Sequence, residues 1–80
     1  MILTINVIEK WSENPVPFTT VLIGVEEFIA DEDGRISVNV PKGQIGIKVT
    51  KNGYVDRVYS PMIVADTNFS IILTPVLEAL

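Results

Sequence analysis

Eighty residues with neither cysteine nor histidine make one small domain that no disulfide framework, thiolate metal site or histidine-based active centre supports, and a chain this short hides only about 60% of its unfolded surface. The net charge of −4 comes from ten acids against six bases, five of the acids between Glu26 and Asp33, so the clustered Lys and Arg of a nucleic-acid surface are missing. Ile and Val, eleven of each, lie in short alternating groups rather than in the roughly 20-residue apolar run of a membrane helix.

Residues 2 to 9 read as a first strand, with Leu3, Ile5 and Val7 on one face and Thr4 and Asn6 on the other. Nothing here has the charged start and cleavage site of a signal peptide. The expected location is therefore the cytoplasm, or a virion or surface structure assembled from it. Ile8 breaks the alternation, and Trp11 is expected to lie as a lid over one end of the core.

Ser12-Glu13-Asn14-Pro15-Val16-Pro17 is a loop, because Pro cannot donate to a ladder and pushes the preceding residue out of helical space. Val21 and Ile23 mark a second strand, Gly24-Val25-Glu26 turns the chain, and Glu27 to Ala30 form a third.

Asp31-Glu32-Asp33-Gly34 is an acidic turn, with Asp suited to local hydrogen bonds and Gly to positive φ. Two alternating strands follow it, Ile36, Val38 and Val40 in one and Ile45, Ile47 and Val49 in the other. They are expected to form a hairpin around Pro41-Lys42-Gly43-Gln44, pairing Val40 with Ile45, Val38 with Ile47 and Ile36 with Val49. That register sets Lys51 and Asn52 beside Gly34 and Asp33. Asn52-Gly53 is the next turn, Tyr54 to Tyr59 a sixth strand, and Asn68 to Thr74 a seventh with Phe69, Ile71 and Leu73 on one face. Pro75 stops it.

Seven short strands with no helical periodicity predict an all-β fold: a seven-stranded antiparallel β-sandwich of Greek-key type. It is expected to be a single domain over 1–80, with a core of 2–75 and a tail of 76–80.

The order of landmarks resembles the carboxypeptidase regulatory-like domain, a prealbumin-like (transthyretin-like) sandwich. It rests on Ile5-Asn6-Val7, Pro17 before Thr20-Val21-Leu22-Ile23, and Asp31-Glu32-Asp33-Gly34-Arg35-Ile36. Val40-Pro41-Lys42-Gly43, Ile45 to Val49, Gly53-Tyr54 and Ile71-Ile72-Leu73 complete it. The resemblance implies a module attached to or assembled with other proteins. Transthyretin-like hydrolases of the purine pathway use His and end in a Tyr-Arg-Gly-Ser signature, and neither occurs here.

Four sites are weighed on the residues. Asp31 and Asp33 could hold a cation only weakly, since an EF-hand loop built on Gly34 would place Ile29 and Val40 at ligand positions. Trp11, Tyr54 and Tyr59 could form a stacking platform for a carbohydrate or peptide, against the alternative that the rings pack on the sheet. Lys10 and Asn68 invite comparison with isopeptide-bonded adhesin domains, but Lys10 should point outward. Ser12, Ser37, Ser60 and Ser70 have no His to activate them.

The sequence thus points to a structural, assembly or protein-interaction module that is not an enzyme and uses no cofactor or metal, pairing with itself or with a larger protein. Ile8, Ile29, Ile72, Val76, Leu77 and Leu80 fall off the inward faces and are the expected association patch.

Overall fold

A computed structural model describes residues 1–76 of the chain. Nine strands occur among them: β1 (Ile2–Glu9), β2 (Thr20–Ile23), β3 (Glu26–Ile29), β4 (Arg35–Asn39), β5 (Gly43–Gln44), β6 (Ile47–Thr50), β7 (Arg57–Tyr59), β8 (Met62–Ile63) and β9 (Thr67–Leu73). Seven build two sheets in the orders β4-β1-β9 and β3-β2-β6-β7, and the two-residue strands β5 and β8 pair separately. The all-β sandwich and its seven principal strands agree with the alternation. No helix among the described residues is long and apolar enough to cross a membrane.

The core lies where the two alternations face each other. Leu3, Ile5, Val7, Ile71 and Leu73 from the three-stranded sheet meet Val21, Ile23, Ile47 and Val49 from the four-stranded one, all buried in one cluster. Burying an aliphatic side chain of this size contributes roughly 1.5–3 kcal/mol, so this cluster is the main source of stability in a chain with no cross-link.

Two expectations about pairing are corrected. The strands around Pro41-Lys42-Gly43-Gln44 are not a hairpin. β4 pairs with β1, placing Val38 beside Leu3 and Ile36 beside Ile5, while β6 pairs with β2, placing Ile47 beside Ile23 and Val49 beside Val21. In a sandwich both strands aim their apolar sets at one core from opposite layers, so apolar faces apolar across the core instead of along a ladder. The link therefore crosses between sheets, with Gly43 and Gln44 pairing with Ile63 and Met62 on the way. Lys51 loses its place beside Asp33 and accepts the N–H of Tyr54 in the 51–54 turn instead.

The ladders are also not all antiparallel, because β9 runs parallel to β1 from Leu3 beside Thr67 to Glu9 beside Leu73. A strand returning from the opposite layer can enter beside the first from either end, and a local pattern does not say which.

The acidic turn forms as expected. Asp31 Oδ1 accepts the N–H groups of Asp33 and Arg35, both at 2.9 Å, and Gly34 closes it at φ +69. A Cβ at Gly34 would lie 2.7 Å from the Val7 carbonyl oxygen, while the Gly34 carbonyl takes the Val7 N–H at 2.7 Å. Glycine is needed here both for its backbone and for its size.

Candidate functional site

Past the end of β1 the chain doubles back. Glu13 N–H bonds to the Glu9 carbonyl at 2.9 Å, Glu9 N–H to the Asn14 carbonyl at 2.8 Å, and Val16 N–H to the Val7 carbonyl at 2.9 Å. The turn forces Trp11 to φ 74 and Glu13 to φ 60, and Phe18 follows at φ 56. Left-handed backbone at such residues costs on the order of 1 kcal/mol each, so surrounding contacts must hold the segment.

The Glu9 carboxylate supplies much of that hold. It accepts the Tyr54 hydroxyl at 2.5 Å and the Ser12 hydroxyl at 2.8 Å, clasping the loop to the turn that follows β6. Both bonds favour the charged form, Tyr54 more than Ser12, and keep Glu9 below its ordinary value of 4.5. The same bond, with desolvation and the Glu9 charge, holds the Tyr54 proton on and raises its phenol above the ordinary 10.0.

Trp11 is not the expected lid. It is 68% exposed, with Lys10 Nζ 5.1 Å from its ring centroid, because the tight return of the loop turns its ring outward. Phe18, 58% exposed, is a second outward ring that the sequence reading passed over. Its only signal was an aromatic beside Pro17 outside any alternation.

The structure does not bring Trp11, Tyr54 and Tyr59 onto one platform. Tyr59 packs edge-on against Phe69 with centroids 6.5 Å apart, whereas Tyr54 bridges Pro75, six residues or roughly 20 Å farther along the last strand. Lys10 and Asn68 are equally far apart, since Asn68 lies beside Thr4 at the other end of β1 and its Oδ1 accepts from Asn6 Nδ2 at 2.8 Å. Among the described residues no three His, Cys, Asp or Glu side chains converge on a metal position; Asp31 spends one carboxylate oxygen on its own turn.

The apolar set off the inward faces divides between layers. Ile8 and Ile72 are neighbours on the outer face of the three-stranded sheet, while Ile29 lies on the outer face of the four-stranded one beside Thr20. Val76 is 51% exposed and follows both. Leu77 and Leu80 lie outside the described residues.

No family model matches the chain, and no curated protein does. Solved structures do. The Klebsiella pneumoniae 5-hydroxyisourate hydrolase aligns with a TM-score of 0.75 at 12% identity, over 95% of this chain and 92% of that one. The fold is prealbumin-like. A putative membrane-associated protein of unknown function from Bacteroides fragilis aligns at TM-score 0.69 and 14% identity, over 99% of this chain but 29% of that chain. The prealbumin-like architecture is what these likenesses establish; the narrower carboxypeptidase regulatory-like assignment is not distinguished by them. They also correct the expectation that the chain is not an enzyme. A hydrolase shares this prealbumin-like fold across nearly its whole length, so the architecture gives no ground for excluding catalysis, and missing His and Cys remove only some nucleophiles and bases.

Proposed function

We propose that this chain is a protein-interaction module for assembly, and that a strand of its partner joins at the open edge of β9. One observation carries the reading. Among the described residues β9 is the longest edge strand, and its sequence Thr-Asn-Phe-Ser-Ile-Ile-Leu has no charge and no Pro. The other edges follow the usual protection against pairing: β3 is four residues with Glu26 and Glu27, β7 is three with Arg57, and β4 opens on Arg35.

The direction of the free groups follows from the ladder. Leu73 gives its carbonyl to the Lys10 N–H, so by alternation Phe69 and Ile71 also face β1. Asn68, Ser70 and Ile72 then aim their N–H and C=O groups away from the sheet. Main-chain bonds to a partner strand provide affinity, with side-chain pockets adding specificity.

The test is the solution mass of the chain against concentration, beside a Ser70→Pro variant. Ser70 is exposed and its N–H lies on the free edge, so Pro removes a docking group without removing a ladder bond. A larger species that shrinks in Ser70→Pro is expected. Unchanged association in that variant would sink the edge reading.

A second reading rests on Trp11: a carbohydrate or peptide module whose ring is this exposed, loop-held tryptophan, without Tyr54 and Tyr59. Tryptophan fluorescence titrated with glycans and peptides tests it, and a flat response with every ligand would dismiss it.

A further inference from the structure

The outer face of the four-stranded sheet carries one row across all its strands. Glu27 on β3 lies beside Leu22 on β2, Leu22 beside Lys48 on β6, and Lys48 beside Val58 on β7. Next along the strands, Gly24 donates to the Gly46 carbonyl at 2.9 Å, and a Cβ at either glycine would meet nothing within 4 Å. With the two glycines, Leu22, Ile47, Lys48 and Val58 line a depression of about 200 Å³. Val58 is 67% exposed, and Val25 at the adjoining hairpin tip is 96% exposed.

We infer that this face docks a second copy of the chain, sheet against sheet, about a two-fold axis parallel to the strands and passing over β2. The argument is the order of charges in the row. Glu27 and Lys48 flank Leu22 at one strand spacing on each side, roughly 4.8 Å. Rotation about β2 therefore sets Glu27 over Lys48 of the second copy, Lys48 over Glu27, and Leu22 over Leu22. The row is complementary to itself, whereas an axis over β6 would set Leu22 against Val58 and leave both Glu27 side chains unpaired. The same rotation brings the second copy's hairpin tip, with Val25, over the two glycines. This surface is separate from the β9 edge and uses none of its backbone groups.

A face four short strands wide is smaller than the roughly 800 Å² per partner of a standard interface. Association is accordingly expected to be weak, roughly in the tens to hundreds of micromolar.

Sedimentation equilibrium from about 10 µM to 1 mM, the range set by that interface size, tests the inference. Reversible dimers are expected. Glu27→Lys and Lys48→Glu should each weaken them by about tenfold or more through facing like charges, and the double reversal should restore them, with unchanged circular dichroism throughout. In the unaltered protein, concentration-dependent amide shifts should centre on Leu22, Glu27 and Lys48. A monomer across the range, single reversals without effect, or a double reversal that fails to restore would overturn the inference. Shifts confined to Asn68, Ser70 and Ile72 would overturn it too, while leaving the β9 edge standing.

Discussion

The outer faces of the two sheets are built on the same period of two, and their middle rows carry opposite characters, although Ile8 and Ile72 also face outward at one end of the three-stranded sheet. On the three-stranded sheet, Thr4 and Ser37 share a hydrogen bond of 3.0 Å, Arg35 Nε donates to Asn6 Oδ1 at 2.8 Å, and Asn6 Nδ2 donates to Asn68 Oδ1 at 2.8 Å. Polar side chains on β4, β1 and β9 thereby satisfy one another within their own layer. On the four-stranded sheet, Glu27 and Lys48 are held apart by Leu22, and Val58 and Ile29 stand exposed. Cross-strand pairs stabilise a sheet when they match; a row whose opposite charges are separated by an apolar residue leaves its complementarity for another molecule.

The largest effect that separates the two layers is expected at their glycines. Gly34→Ala puts a methyl against the Val7 carbonyl at φ +69, where β4 is seated on β1, and should destabilise by about 3 kcal/mol. In a domain of this size that is a fall in Tm of roughly 15 °C. Gly46→Ala enters open space on the other sheet and should stay within about 0.5 kcal/mol. Thermal melts of the two variants measure the contrast, and similar melts would mean that β4 is not held as described.

A smaller contrast lies in the side chains. Asn6→Ala removes two cross-strand bonds and should cost about 1 kcal/mol in urea unfolding, with association untouched. Val25→Ser, at the exposed hairpin tip, should leave stability within about 0.5 kcal/mol and reduce dimerisation. If Val25→Ser destabilised the monomer more than Asn6→Ala, the assignment of one face to stability and the other to docking would be reversed.

The smallest effect is at the clasp joining the layers. Glu9 is held below 4.5, so its bond to Tyr54 adds stability above that pH and loses it as pH falls through the lowered value. Tyr54 is raised above 10.0, so its share is present below that pH and lost as pH rises through the raised value. Tyr54→Phe should therefore lower the plateau between the two limbs slightly and flatten both limbs, with the two proteins converging at the extremes of pH. A profile unchanged throughout would show that this part-buried bond contributes nothing measurable.

The candidate sites were legible in part. The Asp31–Gly34 turn could be read because its hydrogen bonds are local, from Asp31 to residues two and four positions on. The partnership of Glu9 with Tyr54 could not, because it joins residues 45 apart in the chain. Trp11 was visible as a candidate ring, but its exposure depends on a loop return that no periodicity encodes. The uncharged stretch from Thr67 to Leu73 was plain in the sequence; that it ends up at an edge was not.

What the chain determined by itself is which side of each strand faces the core, since alternation of Ile and Val with polar residues decides burial locally and Gly34 permits the positive-φ turn between β3 and β4. Only the tertiary structure decided which strand lies beside which: β4 against β1, β6 against β2, and β9 parallel to β1. The physical reason is that an apolar face is satisfied equally by any strand across a shared core, so burial selects faces, while the neighbours are chosen by how all the layers close together.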